Sequence, residues 1–206
     1  MFVSLLRPSR LFALLSIPVL VGAAPPEAPV LSEEQWSLVR QGEPVLLSDP
    51  DSKESRALAA ILVPHSAESV WNVIDDNETA TDWVEGLTKA QVTETGEDYA
   101  LVYQEMKVPF LPGTFKYVIR HSQTIPQRRI DFERISGSFR ELKGFWELHP
   151  SPDGSETLLF YQVEIDPGMM VPSMAVRNSL KKTLPEALLG LRAQVARVEA
   201  AQASAE

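Results

Sequence analysis

The stretch Thr157-Leu-Leu-Phe-Tyr-Gln-Val-Glu-Ile-Asp166, running through Pro167-Gly-Met-Met-Val171 into Pro172-Ser-Met-Ala-Val176, decides the fold. Its first part is rich in aromatic and branched residues, as a strand is. Beyond Pro172 the period changes. Val176, Leu180, Leu184, Leu188, Leu191 and Val195 recur at helical spacing. Pro172 sits at the first turn, where its missing N–H costs nothing. Pro185 lies inside the segment and predicts a kink. A helix from Pro172 to about Val198 is roughly 40 Å long, enough to cross the whole mouth of a curled sheet.

Upstream, strands are expected at Thr88–Glu94, Tyr99–Met106, Phe115–Thr124, Arg129–Ile135 and Phe139–His149, separated by turn signals such as Thr95-Gly-Glu-Asp98 and Ser151-Pro-Asp-Gly154. Gly144 falls within a strand and predicts a bulge or sharp bend. Before them, Ser55 to Val63 reads as a strand closed by Pro64. It is followed by a short helix from Ser66 carrying Val70, Trp71 and Ile74, then a second over Thr79 to Val84 containing Trp83. Ser32 with Gln35 forms a capping box that opens a helix ending near Gly42, and Val45 to Leu47 is a short strand. The order is an α+β meander.

Arg7 and Arg10, the apolar run Leu11 to Ala24 and the small residues Val21-Gly-Ala23 read as a bacterial secretory signal cleaved near Ala23. The run is shorter than the roughly 20 residues a spanning helix needs. The expected divisions are a signal peptide at 1–23, a spacer and extension at 24–54, one domain at 55–198 and a disordered tail at 199–206. Location in the periplasm follows. The chain has no Cys, so neither disulfides nor a lipidated Cys enter the argument. Of 19 basic residues, Arg7 and Arg10 leave with the signal. The remaining 17 stand against 28 acidic ones, a net charge of −11. Phosphate contacts need a basic face, so nucleic acid is excluded as a partner.

Catalytic patterns are sparse. No Gly-x-Ser-x-Gly and no phosphate-cradling glycine loop occurs. His65, His121 and His149 fall on three different elements without metal-ligand spacing. No metal and no cofactor is expected.

Three local patterns carry a resemblance. They are Ile61-Leu-Val-Pro-His-Ser-Ala-Glu-Ser-Val-Trp71 with Asp75 and Trp83 after it; Gly144-Phe-Trp-Glu-Leu148 with Thr157 to Val163; and the helix from Pro172 through Leu184-Pro185 to Leu191. Together, over about Ala57 to Val198, they resemble the START-like superfamily, the polyketide cyclase/dehydrase and lipid-transport (SRPBCC) group. The nearest members are the coenzyme Q-binding proteins and the START lipid carriers. The resemblance implies a helix-grip fold, in which a curved antiparallel sheet of about six to seven strands wraps around a long C-terminal helix, with two short helices after the first strand. It also implies a cavity for a hydrophobic molecule. It implies no single chemistry, because the fold hosts carriers, receptors and cyclases.

Strand alternation then selects candidate ligand contacts: Tyr103, Phe115, Tyr117, Phe132, Trp146 and Tyr161 on the sheet, Leu180 and Leu184 on the long helix, and Trp83 on the second short helix. Glu105, His121 and Arg134 share those faces and are possible polar anchors, or strand ends reaching solvent. Two loops, Pro109 to Gly113 and Met169 to Val171, place large apolar side chains where turns are usually polar. Phe110, Leu111, Met169 and Met170 are therefore candidate gate residues, with a transient membrane contact as their second use. The expected function is a periplasmic binder or carrier of a lipid, quinone or polycyclic isoprenoid, more a container than an enzyme. The alternatives are a cyclase/dehydrase-type enzyme using Glu105, His121 or Tyr117, and an envelope interaction module.

Overall fold

The computed structural model describes residues 30–48, 55–108, 113–168 and 171–204. The described residues fold into one eight-stranded antiparallel sheet and three α-helices. In order these are α1 (Glu33–Arg40), β1 (Val45–Leu46), β2 (Arg56–Val63), α2 (Ala67–Asp75), a single 3₁₀ turn (Thr79–Asp82), β3 (Leu87–Thr95), β4 (Tyr99–Met106), β5 (Phe115–Ile125), β6 (Arg129–Gly137), β7 (Glu141–Pro150), β8 (Thr157–Asp166) and α3 (Ser173–Ala203). The sheet order is β1-β2-β8-β7-β6-β5-β4-β3, so β2 closes against the last strand while the other hairpins follow the chain. This is the helix-grip architecture, with a slightly higher strand count than the sequence suggests.

The extra strand comes from the N-terminal extension. Val45 and Leu46 pair with Ala60 and Ala59. Ser32 and Gln35 cap α1 reciprocally, at 3.2 and 2.8 Å. Val39 of α1, with Leu31, then packs onto Ala60, Leu158 and Phe160 on the outer face of β2 and β8. That cover explains why β2 and β8 are apolar almost throughout: each is buried on both faces. The extension expected at 24–54 thus packs directly on the sheet that follows it. Residues 1–29, holding the expected signal and most of the spacer, lie outside the described residues.

The inner face is covered by α3. Val176, Leu180, Leu184, Leu188, Leu191 and Val195 are all buried, as their spacing predicts. The helix runs on to Ala203, which corrects the disordered tail expected from residue 199. Its Ala-rich end is a good helix former and continues the last turn. The helix is continuous through Pro185.

Gly144 is not at a bulge. It pairs in register with Phe132 and Val163. Its missing side chain serves close approach: a Cβ there would stand 1.9 Å from the Gln162 carbonyl oxygen. The register shifts lie elsewhere, in the β3–β4 pair and in the β5–β6 pair. Such irregularities increase local twist and curl a sheet. Gly190 plays a similar part on α3, where a Cβ would stand 2.2 Å from the Trp83 carbonyl oxygen.

Gly144→Ala and Gly190→Ala are each expected to cost about 1–3 kcal/mol by overpacking. Urea unfolding checks this, and unchanged midpoints would show that strand and helix can move apart.

Candidate functional site

The concave face of β4–β8, the N-terminal half of α3 and the segment 74–87 line a partly open cavity of about 130 Å³. An engineered apolar cavity of about 150 Å³ takes up benzene or xenon. The enclosed space therefore has room for a ring-sized group, and a larger ligand requires the walls to part.

One wall is aromatic. Trp83 meets Trp146 edge-on at 5.9 Å, and Trp146 lies flat on Tyr161 at 3.6 Å. Tyr161 leads to Phe132 at 6.2 Å, and Phe132 to His121 at 6.0 Å. These contacts make a continuous run of rings along the sheet. Leu180 and Leu184 of α3 face them across the void. His121 and Tyr161 lie deep in the protein, yet both keep part of their surface uncovered. The uncovered part is what lines the void.

The polar groups are few and uncharged in the interior. Burial lowers the His121 pKa to about 4, so the imidazole is neutral at neutral pH, and its Nδ1 is enclosed without a hydrogen-bond partner. Burial also raises the pKa of the Tyr117 and Tyr161 hydroxyls, which stay protonated. Asn77 donates through Nδ2 to the Asp75 carbonyl at 2.9 Å, while its Oδ1 has no partner. Trp83 Nε1 has none either. Each such unsatisfied group costs about 1–3 kcal/mol. Gln123 Nε2 donates to Asp75 Oδ1 at 3.2 Å, tying the end of β5 to the end of α2. His121 and Asn77 both line the cavity. Charged residues among the described lining are confined to Glu85 and Lys107, exposed at the rim.

Of the residues selected from the sequence, Trp83, Tyr117, Phe132, Trp146, Tyr161, Leu180 and Leu184 line the void, as does His121. Phe115 stands behind it, stacked on the lining residue Phe139 at 4.7 Å. Tyr103 and Glu105 are on the opposite side of the sheet. The buried face of β4 is Val102 and Gln104, so its outer face carries Tyr103 beside Val118 and Glu105 beside Lys116. There the Tyr103 hydroxyl donates to Glu105 at 2.8 Å, which with Lys116 holds the carboxyl below its ordinary pKa. A Glu105–His121 dyad is thus ruled out by strand parity. Arg134 pairs with Ile119 but is not among the lining residues; it donates to the Gly137 carbonyl at 3.2 Å, and its Nε is enclosed without a partner. Phe110, Leu111, Met169 and Met170 lie outside the described residues.

Sequence reasoning missed Gln104, Asn77, Ser179 and Thr183, all of which line the cavity. For Gln104 the signal was misleading, since the β4 face with more aromatic and aliphatic bulk is the outer one. For Ser179 a signal existed: it falls on the buried face of α3, one helical turn before Thr183. Among the described residues, no helix is long and apolar enough to cross a membrane, and no group of His, Cys, Asp or Glu could hold a metal ion.

Residues 63–192 match the family described as polyketide cyclase/dehydrase and lipid transport. No curated protein matches the chain. Several solved structures share the fold. An aromatase/cyclase from a Streptomyces species has a TM-score of 0.60 at 17% identity, covering 69% of this chain and 93% of its own. A START superfamily protein from Mycobacterium smegmatis has 0.62 at 14%, covering 69% and 98%. A STAR-related lipid transfer protein from Xanthomonas axonopodis has 0.61 at 15%, covering 74% and 92%. At these identities the likeness speaks to fold alone.

The neutral His121 predicts a pH effect. Folding lowers its pKa from 6.5 to about 4, so the unfolded chain binds the proton more tightly. The contribution is complete above pH 6.5 and is lost as pH falls toward 4, by roughly 3 kcal/mol in all. Urea unfolding across that range should show His121→Leu losing less stability on acidification than the wild type. Parallel curves would overturn the assignment.

Proposed function

We propose a function that starts from family: the chain belongs to the polyketide cyclase/dehydrase and lipid-transport family, and within it acts as a non-enzymatic binder or carrier of a hydrophobic small molecule. The observation that carries this reading is the void itself. The core around it is packed without gaps at Leu159, Leu188 and Leu191, each fully buried, whereas Tyr161 and His121 keep uncovered surface facing the enclosed space. Interiors of folded proteins rarely keep such a space unless it serves a ligand.

The cargo would be a lipid, quinone or polycyclic isoprenoid, entering where α3 meets the rim at Val84, Glu85 and Lys107. The Arg129–Asp131 and Arg129–Glu147 pairs lie on the other side of the sheet and take no part. The export signal expected over residues 1–23 supports action in the periplasm, where an apolar molecule must cross water between membranes. The apolar residues Phe110, Leu111, Met169 and Met170, next in sequence to described rim and junction residues, support a transient membrane contact at the mouth. Flotation with anionic and neutral vesicles tests that contact, and equal negligible binding by wild type and a fourfold Ser variant would remove it.

A second reading is favoured by one observation. Neutral His121 and the Tyr117 hydroxyl line the same cavity, and proton transfer in a cyclase/dehydrase-type reaction needs such a pair of groups. Turnover of a bound ligand by wild type but not by His121→Leu would establish it.

Solvent extraction and mass spectrometry of protein purified from its native host should return one apolar species near stoichiometry. Ala187→Phe, which fills the void from α3, should lose that species while keeping its melting temperature within a few degrees. Absence of any apolar species from the wild type would remove the carrier reading.

A further inference from the structure

The cavity rim carries two like charges face to face. We propose that the Glu85 and Glu186 carboxyls form a proton-operated latch at the mouth: a proton on Glu186 holds the segment 84–87 against α3, and its loss loosens that seam and speeds exchange of the cavity's contents. The part that concerns cargo rests on the cavity being a ligand site, whereas the latch itself is readable on the empty protein.

Backbone packing brings the two side chains together. Gly190 lets α3 approach the Trp83 carbonyl oxygen, from which a Cβ would stand 2.2 Å away. Glu186 lies one helical turn before Gly190, and Glu85 lies just after Trp83, so both fall on the same seam. Thr183 and Ala187, to either side of Glu186, line the cavity together with Val84 and Glu85. The Glu85 carboxylate stands within hydrogen-bonding reach of Glu186. Glu186 Oε1 is 3.7 Å from Lys182 Nζ, while Oε2 is enclosed and has no partner. An ionised carboxylate only accepts, so two of them repel; a proton on one makes it a donor to the other.

The neighbouring charges leave the work to a proton. Among the described residues, those acting on Glu186 are Glu85 across the seam and Lys182 on its own helix. The Lys182 pair is exposed and spaced i,i+4, a weak kind of interaction. Lys107 stands on the same rim at the end of β4, and His121, Tyr117 and Tyr161 are the titratable groups deeper in the cavity. Burial, and then the Glu85 charge, raises the Glu186 pKa above its ordinary 4.5. The folded protein therefore holds this proton more tightly than the unfolded chain does. That stabilisation is complete below pH 4.5 and is lost as pH rises through the raised value. His121 acts in the opposite sense, since acidification removes its contribution. Pro185 takes one backbone hydrogen bond out of α3 immediately before Glu186, so the helix yields beside the pair.

Glu186→Gln and Glu85→Gln test the latch, because an amide donates at any pH. The first readout is hydrogen exchange at the Leu87 and Lys107 amides, which donate to the Val84 and Gly86 carbonyls along the seam. Wild type and variant are compared at one pH, so base catalysis of exchange and the titration of His121 cancel. At about pH 8, well above the ordinary carboxyl range, wild type should exchange there several-fold faster than either variant. At about pH 5, close to that range, the gap should narrow. Each variant should melt roughly 2–4 °C above wild type at the higher pH, and the double variant should gain little more. Variants melting below wild type there would show that the Lys182 contact outweighs the repulsion and would overturn the latch, as would equal exchange at both pH values. Naphthalene, uncharged at every pH, reads the effect on cargo by tryptophan fluorescence. Its release should be several-fold faster from wild type at the higher pH and independent of pH in Glu186→Gln. A single release rate for wild type at both pH values would overturn the gating. Failure of naphthalene to bind would count against the cavity as a ligand site, and exchange and melting would still decide the latch.

Discussion

The packing of α3 across the concave sheet is the constraint on which the rest depends. The helix is held unevenly. Along its C-terminal half, Leu188, Leu191 and Val195 are buried to the last few per cent. Gly190 there allows backbone contact with Trp83. Arg192 donates to the Gly42 carbonyl at 2.9 Å, fastening the same half to the turn that follows α1. The N-terminal half spans the void, with Leu180, Leu184 and Ala187 as its roof. A helix clamped at one end and bridging a space at the other divides the domain into a structural part and a binding part.

That division gives the N-terminal extension a role. It adds β1 to the sheet edge, covers the outer face of β2 and β8 with Val39 and Leu31, and supplies the Gly42 carbonyl to Arg192. All three act on the clamped end. The opposite edge strand, β3, is left largely exposed, and its irregular pairing with β4 lets that side of the sheet curl toward the rim. Rigidity and curvature are thus placed at opposite ends of the sheet, with the cavity between them.

Much of this was legible in the sequence, because two strong periodicities carry it. The stripe from Val176 to Val195 and the alternation in β5 to β8 place six of nine selected ligand contacts on the void, and Trp83, after the 3₁₀ turn, is a seventh. Where reading failed, a physical reason is visible. In β4 the inward face includes Gln104, since a cavity, unlike a packed core, tolerates a polar side chain beside free space. The pattern therefore pointed to Tyr103 and Glu105, whose apolar bulk and charge instead serve a surface pair with Lys89 and Lys116. Gly144 read as a bulge because sequence cannot distinguish a residue that must bend from one that must let the neighbouring strand come close. Asn77 gave no signal at all, for its importance lies in which of its two amide atoms the Asp75 carbonyl occupies.

The energetics of the empty cavity favour a ligand. Residual cavities cost about 24 cal/mol per Å³ in destabilised cores, so 130 Å³ corresponds to about 3 kcal/mol. The unpartnered Asn77 Oδ1 and His121 Nδ1 add to that cost. An apolar group that fills the space would relieve the first cost. The space that weakens the core is therefore the space that supplies affinity, and an aliphatic filling of it would improve the core while removing the reason for it.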